Sequence, residues 1–314
     1  MVGKTVEFAT PGTRLSVTNK QLVIARPEHR RESIPIEDLG VVIVDDARAT
    51  YTQAVFIELT NAGTCVLICG RDHLPASMMI PLVGHHGQTE RQLAQVKTSV
   101  PTKKRVWQAL VKAKIIQQAA VLSHFSVHNR GLIQLASRVK SGDPQNVEAH
   151  AAQRYWPALL GDSFRRNRDQ PDYNALLNYG YAVIRATVAR AIVATGLIPS
   201  FGVHHKNRRN PFCLADDLLE PYRPFVDWRV KQIALDTSKD AMSLESRPIR
   251  ARLLSLLNES VNIGERSEPM LVAIQTSADS LRKALTGDGI DLLLPHGMPL
   301  VDVAEEIELQ VSET

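Results

Sequence analysis

The sequence predicts an α+β fold, with a small β-rich domain at the N-terminus and a larger all-α-helical domain after it. Three observations carry that expectation. Through roughly the first eighty residues, apolar residues come in short alternating or β-branched runs bounded by turn residues. Between Pro75 and Gln88, two prolines, two glycines and the pair His85-His86 interrupt the pattern, as an interdomain linker does. Beyond that stretch the apolar residues recur at three-and-four spacing. The division falls at 1–86, the β-domain with its linker, and 87–314, the helical domain with an acidic tail.

Leu15 and Val17 alternate with polar residues, Asn19-Lys20 supplies a tight turn, and Leu22 to Ala25 returns as a strand. Ile34 and Ile36 alternate again, and Val41 to Val44 is a β-branched run ending at Asp45-Asp46. A helix from Thr52 to Asn61 closes at Gly63, and the run Cys65 to Cys69 reads as a further strand. In the second domain Val106, Leu110, Ala113, Gln117 and Ala120 mark a first helix, with Thr102 as its cap. A second helix covers His128 to Lys140 and stops at Ser141-Gly142-Asp143-Pro144. Further helices are expected at Val147 to Leu160, Tyr173 to Ala194, Asp216 to Asp236 and Glu268 to Leu285.

The 314 residues are 44% apolar and 22% charged, which excludes wholesale disorder and low-complexity architectures. Three cysteines cannot build a disulfide framework, and Cys65 and Cys69 read as small buried residues on one strand face. The N-terminus lacks a basic segment followed by an apolar run. The most apolar helical stretch, Tyr181 to Ile198, is interrupted by Arg185 and Arg190. These features predict a cytoplasmic protein with no membrane association.

Thirty-seven basic residues against thirty-three acidic ones leave a formal charge of only +4, so clustering matters more than the total. Cations gather at Arg26, Arg30 and Arg31; at Lys103, Lys104 and Arg105; at Arg165, Arg166 and Arg168; and at Lys206, Arg208 and Arg209. Such clusters suit phosphate contacts. Aromatic residues are 5% of the chain, which favours backbone-directed binding of duplex nucleic acid over base stacking.

Three polar segments bear chemistry. Glu148 falls in the first turn of the helix after Gly142-Asp143-Pro144; alone, such an acid complements the helix dipole. Gly202-Val203-His204-His205 opens a turn-rich loop, and either histidine can line a site there. Asp217 and Glu220 lie three apart, so on a helix both carboxylates share a face and repel unless a cation joins them. A metal ion or Arg223 would do, and from spacing alone the exposed acidic face paired with Arg223 is the simpler reading. One imidazole with two or three carboxylates is a hard donor set that suits Mg²⁺ or Mn²⁺ better than Zn²⁺. No phosphate-binding GxxxxGK[ST] loop, GxGxxG turn or GxSxG elbow is present, which disfavours ATPase, dinucleotide-dependent and serine hydrolase chemistry.

At these residues the sequence resembles the spacer-acquisition integrases known as CRISPR-associated protein one, over nearly the whole chain. Ser33 to Asp38 with the run Val41 to Val44 resembles the family's β-domain. Asn146-Val147-Glu148 resembles its acidic helix start, and Asp169 to Tyr181 resembles its helix with an Asn and a Leu at fixed spacing. The most specific match is Gly202, His205, Asp217, Glu220, Tyr222-Arg223-Pro224 and Asp227. The wording Glu-Pro-Tyr-Arg-Pro is most similar to members from systems with a single large effector nuclease. Ala149-His150 departs from the family, where many members have Gly and a small or basic residue.

The resemblance selects His205 over His204. It implies that Glu148, His205 and Glu220 hold one Mg²⁺ or Mn²⁺, with Asp217 as an auxiliary acid. It implies a helical catalytic domain and a homodimer formed through the β-domains. Its further partners would be a dimer of CRISPR-associated protein two and captured and repeat double-stranded DNA, with the large effector nuclease as an additional candidate. The implied activity is joining of DNA 3′-hydroxyl ends to a CRISPR repeat. Lys206, Arg208, Arg209 and Arg223, together with Arg165, Arg166, Arg168, Lys103, Lys104 and Arg105, are then the expected DNA-contacting cations.

Overall fold

The structure, a computed structural model, describes residues 3–167, 170, 173–238, 241–289 and 291–298. The N-terminal part builds two four-stranded sheets. One has the order β1-β5-β7-β8, from Lys4–Phe8, Leu39–Val44, Cys65–Cys69 and Pro75–Met79. Its first three strands run parallel and β8 is antiparallel to β7. The other has the order β4-β3-β2-β6, from Glu32–Pro35, Gln21–Ala25, Arg14–Thr18 and Thr50–Tyr51. Asn19 and Lys20, at φ of 50° and 60°, make the two-residue turn of the β2–β3 hairpin, whose left-handed geometry matches strand twist. Helix α1 (Gln53–Asn61) connects β6 to β7.

Every residue of β5 is buried, and its two faces serve different cores. Val42 and Val44 pack with Leu15, Leu22 and Ile24 between the sheets. Val41 and Ile43, with Cys65 and Leu67 of β7, pack against the helices. Burial pushes the thiols of Cys65 and Cys69 up to about 12, consistent with inert packing residues.

The stretch expected to be linker begins as strand β8, so Pro75–Met79 belongs to the first sheet. Pro75 is tolerated because β8 lies at the sheet edge. Helices α2 (Gln88–Lys97), α3 (Val100–His124), α4 (Leu132–Arg138), α5 (Val147–Leu160) and α6 (Tyr173–Ala194) follow. The bounds of α5 and α6 coincide with the sequence reading. Helix α3 starts earlier than expected: Ser99 rather than Thr102 is its cap, and the Ser99 hydroxyl accepts the Thr102 N–H at 3.3 Å.

The helix expected over Asp216 to Asp236 is broken. It runs as α7 (Cys213–Leu219), a 3₁₀ turn at Glu220–Tyr222, and α8 (Arg223–Asp236). Pro221 and Pro224 have no N–H to donate, which tightens the chain there. Helices α9 (Arg247–Ser255) and α10 (Met270–Thr286) complete the bundle. The second part is mostly helical, but the all-α expectation fails. Strands β9 (Ser260–Ile263), β10 (Arg266–Pro269) and β11 (Pro295–His296) form an antiparallel sheet in the order β10-β9-β11. Val261 and Ile263 anchor it in the helical core.

The central helices pack closely. A Cβ on Gly180 of α6 would stand 2.4 Å from Val226 of α8, so only glycine permits that approach. No helix among the described residues is long and apolar enough to cross a membrane.

Candidate active site

Four segments meet where α3, α5, the 200–212 loop and the α7–α8 break come together. The first turn of α5 brings Glu148. Its local fold is set by Asp143, whose carboxylate oxygens accept the N–H groups of Val147 at 2.9 Å and Glu148 at 3.1 Å. Asp143 and Asn146 adopt left-handed φ values of 46° and 51°, which their short polar side chains tolerate.

The 3₁₀ turn brings Glu220, which is nearly buried. Its Oε2 lies 2.5 Å from Nζ of Lys114, and its Oε1 accepts from Nε of Arg223 at 2.9 Å. Lys114 Nζ is also 2.5 Å from Oε1 of Glu148. The two glutamates therefore converge on one ammonium. Burial alone would raise the Glu220 carboxyl, but Arg223 and Lys114 override it and hold the group well below its usual range. The Arg223 guanidinium also lies over the Tyr181 ring, 4.7 Å from its centroid.

The loop brings His205. Gly202 makes the close turn there: a Cβ at 202 would stand 2.5 Å from the His205 carbonyl oxygen. Asp217 is fully buried and gathers the loop. Its Oδ2 accepts the N–H groups of Val203 at 2.6 Å and His204 at 3.1 Å, and its Oδ1 accepts the His205 N–H at 3.1 Å. His205 Nδ1 is 2.7 Å from the same Oδ1. The Asp217 hydrogen bond, opposed by burial, raises the His205 pKa above its usual value. Trp107 of α3 stacks on His204 at 4.0 Å with 5° between the planes, and meets His205 edge-on at 5.7 Å.

The break between α7 and α8 thus separates the two acids that the sequence placed on one helix face. Asp217 turns to the loop and Glu220 to Lys114. Arg223 is Glu220's partner, but the exposed acidic face of the simpler sequence reading is absent, because both acids are buried. Asp217 spends both oxygens on four hydrogen bonds, so it orients His205 and has no oxygen left to bind an ion. Among the described residues, no three of His, Cys, Asp and Glu lie close enough to hold a metal. The donor chemistry nonetheless fits a hard cation. Two carboxylates converge on one positive charge, and the nearby imidazole has Nδ1 committed to Asp217, so Nε2 is the nitrogen left to ligate.

Lys206, Arg208 and Arg209 are exposed along the loop beyond His205, and Lys104 and Arg105 are exposed at the start of α3, with Lys103 half-buried. Arg165 donates to the carbonyls of Asp162 at 2.6 Å and Phe164 at 2.8 Å. Arg166 turns inward to the side-chain oxygens of Asn174 and Asn178, each at 2.7 Å. Arg168 lies outside the described residues. Sequence reasoning missed Lys114 and Trp107. Seven residues apart on α3, they share a helix face, and Lys114 is a charge set between the buried Val111 and Ile115. It also missed that Asp227 of α8 accepts from the hydroxyls of Tyr155 at 3.0 Å and of Tyr181.

The sequence profile described as "CRISPR associated protein Cas1" matches residues 8–241. A curated relative from Neisseria meningitidis serogroup C (strain 8013), named CRISPR-associated endonuclease Cas1, is 34% identical over 299 residues, 94% of this chain and 97% of the relative. Among solved structures, a casposase bound to integration product superimposes with a TM-score of 0.78 at 19% identity, covering 99% of this chain and all of that one. The structure of a Cas6-RT-Cas1–Cas2 complex gives 0.68 at 17% identity, covering 92% of this chain and 35% of that one. At those identities the likeness to solved structures shows the fold alone. Taken with the profile and the Neisseria relative, it places this chain in the Cas1 family of CRISPR-associated proteins.

Proposed function

We propose that the chain is the metal-dependent integrase of CRISPR adaptation, joining 3′-hydroxyl ends of a captured DNA duplex to the CRISPR repeat. The observation that carries this reading is the convergence of Glu148 and Glu220 on one cationic point, beside an imidazole fixed by Asp217. Glu148, Glu220 and Nε2 of His205 would hold Mg²⁺ or Mn²⁺. Such an ion supplies polarisation of the scissile phosphate and a lowered pKa for the attacking hydroxyl. The chain's own residues do the rest. Asp217 keeps the proton on Nδ1 and so leaves Nε2 free to ligate. Arg223, held between Glu220 and the Tyr181 ring, adds fixed positive charge where phosphate charge grows. Lys206, Arg208 and Arg209 neutralise the DNA backbone nearby. In the reaction a 3′-hydroxyl gives up its proton to solvent as its oxygen attacks phosphorus, the existing P–O3′ bond breaks, and the departing 3′-oxygen takes up a proton from solvent.

The partners in this reading are double-stranded DNA, a second copy of the chain, and a dimer of the Cas2 type, with the large effector nuclease as a further candidate. The Cas6-RT-Cas1–Cas2 complex among the similar folds and the casposase bound to integration product support the third and the first of these. The place of action is the cytoplasm. A second reading draws on the name of the Neisseria relative, an endonuclease: the same groups would serve with water as nucleophile.

The test is a strand-transfer assay with a supercoiled repeat-bearing plasmid, a labelled duplex with free 3′-hydroxyls and the partner dimer, with and without EDTA. Label should join the plasmid only with metal present and Glu220 intact, and Glu220→Ala should abolish joining. Metal-dependent nicking without joining would favour the endonuclease. DNA binding with no metal-dependent product would leave only a scaffold.

A further inference from the structure

The cluster of Glu148, Glu220, Lys114 and Arg223 is already electrically balanced. Glu148 and Glu220 bring two negative charges, and Lys114 and Arg223 bring two positive ones, with Lys114 and Glu220 almost wholly enclosed. A divalent cation added to that set would leave two uncompensated charges within it, in a poorly solvated place. One resident cation has to go. Arg223 is clamped between Glu220 and the face of Tyr181. Lys114 has no such clamp: a flexible four-carbon stem carries its ammonium to the very point where both carboxylates meet. The ammonium and the ion therefore compete for one place.

We infer that Lys114 is a positioning residue of this site, holding Glu148 and Glu220 together as a stand-in cation that a divalent ion must displace. The inference rests on the metal reading given above. Without Lys114, the glutamates repel in the metal-free protein and the ion meets no competitor. Binding of the ion is then tighter, at the expense of a looser empty site.

Mn²⁺ binding by calorimetry and thermal melting, with and without Mn²⁺, test this on the full chain and on K114M. Wild type should bind Mn²⁺, and K114M should bind it about tenfold more tightly, since each ten-fold is about 1.4 kcal/mol of removed competition. K114M should melt lower than wild type without metal and recover with saturating Mn²⁺. K114R, which keeps the charge, should stay near wild type in both. K114M binding Mn²⁺ no more tightly than a metal-binding wild type overturns the role of Lys114 and spares the metal site. If neither protein binds Mn²⁺, the metal reading falls and the inference falls with it. A second measurement needs no variant. Acetylation of wild-type Lys114 by an N-hydroxysuccinimide ester, mapped by mass spectrometry, should rise severalfold on adding Mn²⁺; unchanged labelling overturns displacement.

Discussion

Oδ1 of Asp217 receives both the backbone N–H of His205, at 3.1 Å, and the imidazole Nδ1 side, at 2.7 Å. One buried oxygen thus fixes where His205 sits and which way its ring faces. With Val203 and His204 on the other oxygen, the carboxylate is the hub of the loop.

Asp217→Ala strands three N–H groups and frees the ring. It should lower unfolding free energy by about 3 kcal/mol, at roughly 1 kcal/mol or more for each orphaned donor. Activity should fall about 10- to 100-fold, the usual cost of losing a ligand's orienting partner. Urea titration and the strand-transfer rate check it; a stable variant with full rate would mean that the loop holds itself.

Gly202→Ala puts a Cβ 2.5 Å from the His205 carbonyl and 2.7 Å from Asp217 Oδ2. Both neighbours are fixed by hydrogen bonds, so the loop must shift. The expected cost is about 1–3 kcal/mol, read as a drop in Tm, with activity reduced while overall helicity by circular dichroism is kept.

Asp227 gives a pH signature. Burial pushes its carboxyl up to about 6, against the lowering by Tyr181 and Tyr155. An unfolded aspartate titrates near ~3.9, so the native state holds this proton more tightly. Its contribution favours folding fully below that lower value and is lost as pH rises to about 6. Relative to Asp227→Asn, wild type should lose about 2 kcal/mol of unfolding free energy from pH ~4 to pH ~7, at up to about 1.4 kcal/mol for each pH unit between the unfolded and folded values. Parallel stability profiles for the two proteins would show that Asp227 keeps a normal pKa.

Lys206, Arg208 and Arg209 form an exposed cationic run next to the site. Replacing each by Ala should weaken duplex binding without regard to sequence. The slope of log affinity against log salt should become shallower by about one unit per phosphate-contacting residue. Fluorescence anisotropy over a salt series measures this, and an unchanged slope would place the DNA elsewhere.

The parts of the fold that the sequence revealed are those with strong local signals. Asn19-Lys20 between alternating runs marked its hairpin, and Glu148 sat in the first turn of α5 as expected. The β9–β10 hairpin was hidden because its strands are four residues long, too short for alternation to stand out. The α7–α8 break was hidden because the apolar residues keep helical spacing through Pro221 and Pro224. At the site, the spacing of His205, Asp217 and Glu220 was legible and the resemblance set Asp217 apart as auxiliary, but the partners that divide the two acids were not legible. That division depends on the 3₁₀ turn and on Lys114, which beside Lys112 reads as one more solvated lysine. Only the packing of α3 against α5 and the turn reveals that its ammonium is enclosed.

Strand β5 gives alternate residues to two cores, Val42 and Val44 to one and Val41 and Ile43 to the other. The floor beneath the helices is therefore encoded in the N-terminal half of the gene. A graft that exchanges the β-rich part for a relative's would also exchange four side chains under the helices, with Cys65 and Leu67 completing the set. The seam behaves as a shared wall, and an insertion of one residue in β5 would turn both rooms inside out at once.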